Sequence, residues 1–240
     1  MRATWAWCLA LQLGCGRIDF GARTSDARLA PTTADATTDS AAAGACGTTI
    51  ALQDDFTATT AGPEWSHVSA SDIVISQGGG TLVATFAATT AADESASYTQ
   101  IMPIDFRGGC LTVKIVAVPD ASVSAAYAFI LMATGSVGVG FEPEVGTLAA
   151  MFYTDLSTAT NVTVHAFDPV ADELVRLREN GGTYFWETSA DGVTFVPYGS
   201  ASATGVDASS LGVWIGAATN TSTATNAGTA SYGPLVVMTP

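Results

Sequence analysis

The sequence predicts an all-β domain of antiparallel strands, closed as a sandwich or a barrel. Three observations carry that prediction. The stretch Leu174–Phe195 (LVRLRENGGTYFWETSADGVTF) reads as three short strands joined by two tight turns. Strand-length apolar runs recur from about Thr48 to the end, punctuated by turn residues, with no convincing amphipathic helical period among them. Thr, Ser, Ala, Gly and Val dominate, a composition that suits strands and turns better than long helices. No fixed-period repeat is visible, which argues against a propeller or solenoid.

The elements follow in order. Met1–Gly14 carries Arg2 and an apolar run from Trp5 to Leu13, too short to span a bilayer but the length of a signal-peptide core. The run ends in Leu13-Gly14-Cys15, which resembles a bacterial lipoprotein signal, in which the cysteine becomes the lipidated N-terminus. That family favours an aliphatic residue three before the cysteine. Here Gln12 holds that place and Leu11 stands one further back, so a plain secretory leader is the competing reading. Either reading implies export, to a bacterial cell envelope or beyond, with Cys15 as the lipidation candidate and an N-terminal lipid as the only membrane contact. Gly16–Ala45 is rich in Ala, Thr, Asp and Ser, with few large apolar residues beyond Ile18, Phe20 and Leu29. It reads as a flexible tether, because it cannot bury enough surface to offset its ordering entropy. The expected organisation is a leader at 1–14, a tether at 15–47 and a β domain at 48–240.

Setting aside Cys8 in the leader and Cys15, two cysteines remain, Cys46 and Cys110. Export permits a disulfide between them, tying the start of the domain to the strand that begins near Cys110. The alternative is a pair of free or buried thiols.

The strands then run Thr49–Leu52, Ile73–Ile75, Thr81–Phe86, Ser97–Met102, Cys110–Val118, Tyr127–Ala133, Val137–Phe141, Leu148–Tyr153 and Val162–Ala166. Leu111, Val113, Ile115 and Ala117 alternate onto one face. Tyr127–Ala133 is apolar throughout, as in a strand covered on both sides. The hairpins follow. Asn180-Gly181-Gly182 supplies the positive φ of the first turn, and Asp191-Gly192 signals a second. Val193, Phe195 and Pro197 are expected to share a strand face. Leu211–Ala217 and Tyr232–Val237 close the domain.

Across 240 residues the formal charge is −14, and Lys114 is the single lysine. Such a balance argues against nucleic acid and anionic lipid as partners, since both are bound through basic surfaces. It keeps an exported protein dispersed.

Three segments carry a resemblance to a known family. They are Asp54-Asp55-Phe56 followed by Pro63-Glu64-Trp65; the hairpins of Val175–Phe195; and Leu211-Gly212-Val213-Trp214-Ile215-Gly216 followed by Tyr232–Val237. In this order they resemble the opening, late and closing strands of the concanavalin A-like lectin/glucanase superfamily, in particular its laminin-G-like bacterial members. The resemblance implies a two-sheet antiparallel jelly-roll sandwich. It also implies carbohydrate or protein ligands, with glycan hydrolysis in some members and calcium at a sheet edge in others. Asp54 and Asp55 are the candidates for calcium; the competing reading makes them edge charges that block strand-to-strand aggregation.

The sequence shows no catalytic signature. Phe141-Glu142-Pro143-Glu144 places two carboxylates on one side of a strand, but Pro143 disfavours a central strand and no third acid follows, so the pair reads as a loop edge. His67 and His165 lack a nucleophile elbow. Sugar binding needs exposed flat rings. Tyr184 and Trp186 share a strand face and are the ligand-binding candidates, with Arg176 and Arg178 beside them across the hairpin. The competing reading sends those rings into the core. The expectation is a non-catalytic module for carbohydrate or a surface protein; the alternative is a glycan hydrolase with an unrecognised site.

Overall fold

The computed structural model describes residues 45–120, 125–155, 158–202, 205–220 and 222–240. The leader, Cys15 and residues 16–44 lie outside these. All regular structure is β, and most strands form two antiparallel sheets stacked as a sandwich, as the turn chemistry predicts. The first sheet contains β1 (Thr49–Asp54), β3 (Ile73–Gly78), β4 (Thr81–Phe86), β7 (Cys110–Ala117), β12 (Leu174–Asn180), β13 (Thr183–Ser189), β14 (Val196–Ser202) and β17 (Thr229–Thr239). Its order is β14-β13-β12-β7-β17-β4-β3, with β1 also on β17. The second contains β2 (Trp65–Val68), β6 (Ser95–Gln100), β8 (Ala126–Thr134), β9 (Val137–Glu144), β10 (Thr147–Asp155), β11 (Thr158–His165) and β15 (Gly212–Thr219). Its order is β11-β10-β9-β8-β15-β6-β2. A two-residue ladder joins β5 (Thr89–Thr90) to β16 (Ala224–Thr225).

The core lies between the sheets. Val113, Leu177 and Trp186 enter from the eight-stranded sheet and Ile130, Phe141 and Ile215 from the seven-stranded one. Side-chain hydrogen bonds from Trp186, Tyr232 and Trp65 tie the two layers together. Trp186 Nε1 donates to the Gly140 carbonyl at 2.7 Å, and the Tyr232 hydroxyl donates to the Gly216 carbonyl at 2.5 Å. Trp65 Nε1 donates to Asp54 Oδ2 at 2.8 Å, joining β2 to the end of β1. Buried rings whose N–H and O–H find carbonyls or carboxylates keep their apolar contribution without an orphaned donor.

The Gly181-Gly182 turn has φ of 59° and 85°, both positive, as a two-residue hairpin of the mirror-image type requires. The second turn departs from expectation. β13 ends at Ser189 and β14 starts only at Val196, so 190–195 is a loop and Val193 is fully exposed on it rather than in a strand. Asp191 causes this: its Oδ1 accepts from the Val193 and Thr194 amides, at 2.8 and 2.7 Å, and consumes donors that a ladder needs. β2 was not legible in the sequence, because it is four residues long and only Trp65 is buried.

Cys46 and Cys110 form the expected disulfide, with Cα atoms 5.4 Å apart. It fastens the start of the domain to β7.

Candidate functional site

The strongest sequence candidates are not on a surface. Tyr184 and Trp186 point between the sheets, with exposures of 1% and 0%. Phe152 packs edge-on to both, at centroid distances of 6.4 and 5.3 Å. Their expected ligand role is corrected on that ground: rings sealed in the inter-sheet core cannot stack on a sugar. The physical reason is register. Leu177 pairs with Trp186 and Glu179 with Tyr184, so the rings share the buried face of β12.

Arg176 and Arg178 take the opposite face, and the expected contact with Tyr184 and Trp186 is likewise corrected. Arg176 pairs with Glu187 and Arg178 with Phe185. Both guanidiniums bind the Glu187 carboxylate: Arg176 Nε to Oε2 at 2.5 Å, and Arg178 Nε and Nη2 to Oε1 at 3.2 and 3.0 Å. Arg176 lies 3.9 Å over the Phe195 ring and Arg178 4.1 Å over Phe185. The cation–π contacts exist, but with phenylalanines, and they cap a closed charge cluster on the outer face of the eight-stranded sheet.

The Asp54 and Asp55 carboxylates are engaged by local donors. Asp54 Oδ1 accepts from the Phe56 amide at 2.7 Å while Oδ2 takes the Trp65 indole. Asp55 Oδ1 accepts from the amide and hydroxyl of Thr57, which hold its carboxyl below the usual range. Three of these four oxygens accept hydrogen bonds, and no group of three or more metal-ligating side chains occurs among the described residues.

His67 is exposed beside Tyr98. His165 Nε2 lies 3.2 Å from Asp172 Oδ2 and its ring packs on Tyr198. Burial, and then Asp172, push the Tyr198 hydroxyl pKa well up. This cluster offers a held histidine and no nucleophile. A cleft of about 210 Å³ between Phe152, Thr160, Ser202 and Val206 is smaller than a typical small-ligand site of about 300–1,000 Å³.

The surface with chemical potential is the outer face of the seven-stranded sheet. β8 is apolar on both sides. Ala128, Ile130 and Met132 enter the main core, while Tyr127, Phe129 and Leu131 form a second cluster with Ala149, Met151 and Tyr153 of β10 and Ala218 of β15. Trp214 packs at its margin, half-buried. Cross-strand register explains the assembly: Trp214 stands opposite Leu131, Leu131 opposite Gly140, and Gly140 opposite Met151. Gly140 must be glycine here, since a Cβ would lie 2.0 Å from the Ile130 carbonyl oxygen.

Glu142 belongs to this face, two residues on from Gly140, and is 1% exposed. It accepts a hydrogen bond from the Tyr153 hydroxyl. Tyr153 stands opposite Gly138, so its ring runs along the lane that Gly138 and Gly140 leave bare. Glu144 follows on the same side. The expectation of a loop edge is therefore corrected for Glu142, which lies inside β9, while Glu144 is the strand's last residue before the turn. Pro143 is tolerated because β9 pairs with β8 only as far as Phe141, leaving Glu142–Glu144 paired with β10 alone. What hid this face from sequence reading is that Gly138, Gly140, Glu142 and Glu144 alternate with Val139, Phe141 and Pro143, a polar–apolar pattern visible in principle but masked by its glycines.

No protein-family model and no curated protein matches the sequence. Solved structures do match in fold. A glycosyl hydrolase family 16 protein from Mycobacterium smegmatis aligns over 79% of this chain and 100% of its own, with 12% identity and a TM-score of 0.53. A laminarinase from Flavobacterium sp. UMI-01 aligns over 79% and 100%, with 10% identity and a TM-score of 0.55. The CBM2 module of an evolved Dit protein of Lactobacillus casei phage J-1 aligns over 78% and 94%, with 9% identity and a TM-score of 0.56. The sandwich is a concanavalin A-like jelly roll.

Proposed function

We propose that this chain engages carbohydrate at the Trp214 margin of the outer face of its seven-stranded sheet, since Trp214 is half-buried while the Tyr127, Phe129 and Tyr153 rings beside it are buried. One observation carries the reading: an antiparallel sheet that has already buried one face against the core carries a second aromatic and aliphatic layer on the other. A solvated sheet face ordinarily alternates to polar residues. Flat rings with a few placed polar groups are what a sugar's apolar faces and hydroxyls require. Structural likeness to glycoside hydrolases and to a CBM2 module supports the reading at the level of fold.

A second reading is favoured by Glu142 and Glu144. Retaining glycosidases use two carboxyls about 5 Å apart. Side chains two apart on a strand share a face with Cα atoms about 6.8 Å apart, and Glu142 is buried beside a tyrosine hydroxyl. In this reading Glu142 and Glu144 divide the acid and nucleophile roles. The leader supports placing the domain at the cell envelope, through Cys15 where that residue is lipidated; Cys15-dependent incorporation of a labelled lipid precursor tests that placement.

The test of function is a panel of soluble β-glucans and xylans, scored for binding and for new reducing ends. Binding without cleavage supports the first reading. Cleavage lost in Glu142→Gln with binding kept supports the second. Absence of both across the panel contradicts the proposal.

A further inference from the structure

The two sheets do not meet evenly along their free edges. β11 ends the seven-stranded sheet, β14 ends the eight-stranded one, and the two strands touch on one flank of the sandwich. They are closest where Gly199 passes Thr163: a Cβ on Gly199 would lie 2.5 Å from Thr163 Cγ2. Three residues along each strand, at Ser202 and Thr160, the edges part and the cleft of about 210 Å³ opens between them. Phe152, opposite Thr160 in the β10–β11 register, forms one wall and is held edge-on by Tyr184 and Trp186. Val137 and Val206 add apolar surface, and the hydroxyl residues Thr154, Thr160 and Ser202 complete the polar side. Among the described residues no charged side chain lines the cleft.

We propose that this cleft binds one neutral sugar ring, either a free pyranose or the terminal residue of a glycan. Size sets the first limit. An apolar cavity of about 150 Å³ holds a single benzene ring, so the cleft takes one six-membered ring with its hydroxyls. Wall chemistry sets the class. Ser and Thr hydroxyls both donate and accept, as the hydroxyls of a sugar do, so either partner can turn to suit the other. The C–H face of a pyranose needs flat apolar surface, which Phe152 supplies between Val137 and Val206.

Charge excludes the nearest competitors. A carboxylate or phosphate ligand calls for a basic partner, and β10, β11 and β14 contain no lysine or arginine. Uronic acids and sugar phosphates are therefore disfavoured in a chain of net charge −14. The cleft is separate from the Trp214 margin. It lies between the sheets at the β11 edge, whereas Trp214 sits on the outer face of β15, nearer the other edge of that sheet. The inference thus goes beyond the Trp214 reading and does not rest on it.

The test follows backbone amide resonances while the full chain, purified after removal of the leader, is titrated with glucose, galactose, mannose and xylose. Glucuronate is the charged control. The proposal expects saturable shifts at the Thr160, Ser202 and Val206 amides with at least one neutral sugar and none with glucuronate. Thr160→Val/Ser202→Ala changes two exposed positions and should weaken that binding at least tenfold. Val206→Phe fills the cleft and should abolish it. Trp214→Ala should leave it unchanged. Any of four results overturns the proposal: no saturable shift at these amides with any of the four sugars, the same response to glucuronate, unchanged affinity in Thr160→Val/Ser202→Ala, or shifts confined to the Trp214 margin. The last would retain the carbohydrate reading while removing this site.

Discussion

At the scale of single residues, charge placement on the outer face of the eight-stranded sheet decides more than sequence reading allowed. Arg176 and Arg178 are scarce bases in an acidic chain, and their place across the hairpin from Tyr184 and Trp186 made them ligand-binding candidates. Instead, one buried carboxylate holds both, with side-chain exposures of 11%, 5% and 1% for Arg176, Arg178 and Glu187. Removing one partner from such a cluster strands the others. Glu187→Ala is expected to lower unfolding free energy by about 3–5 kcal/mol in urea titration. Replacing all three by apolar residues of similar size should recover most of that loss. A mild effect of Glu187→Ala alone would show that the arginines find other partners. Trp186 obeys the same logic: Trp186→Phe loses the bond to Gly140 and leaves a gap, at an expected cost of about 2–4 kcal/mol, without touching a ligand.

At the scale of elements, the hairpins show what was legible. Asn180-Gly181-Gly182 is read correctly because only residues tolerant of positive φ fit a two-residue turn. Asp191-Gly192 carries the same signature yet opens a six-residue loop, since the Asp191 carboxylate competes for backbone donors. Alternation placed Leu111, Val113 and Ile115 in the core, and the all-apolar Tyr127–Ala133 was rightly read as covered on both sides. Which face Trp186 chose was not legible, because alternation gives two faces and does not say which one meets the other sheet. For the same reason the Glu142 face stayed hidden: its meaning depends on where β8 stops pairing with β9, a non-local fact.

The loop makes a pH prediction. The Thr194 and Val193 amides, and then the Ser189 hydroxyl, hold the Asp191 carboxyl down to about 2. A depressed carboxylate contributes stability above its unfolded pKa, about 3.9, and loses it as pH falls through its folded value. The Val193 and Thr194 amide resonances should therefore titrate with a midpoint near 2. The step should vanish in Asp191→Ala. A midpoint at the ordinary aspartate value would contradict the cap.

At the scale of the whole molecule, the described residues join the two large sheets through the core and side-chain hydrogen bonds from Trp65, Trp186 and Tyr232, while the Cys46–Cys110 bridge, across 64 residues, fastens the start of the domain to β7 on the side of the eight-stranded sheet. Closing a loop of that length is worth about 4 kcal/mol in the chain-entropy account. Cys46→Ser/Cys110→Ser should unfold correspondingly earlier in guanidinium, with the slope steepened by a more expanded unfolded state. The sandwich otherwise leaves one sheet with apolar character on both faces, and that asymmetry is what function has to explain.

The most direct measurement is the affinity of a β-glucan oligosaccharide, found active in the panel, for three chains: unaltered, Trp214→Ala and Trp186→Phe. Carbohydrate binding on the outer face predicts at least tenfold weaker binding for Trp214→Ala and unchanged affinity for Trp186→Phe while that chain remains folded. Equal affinity of Trp214→Ala and the unaltered chain would contradict it.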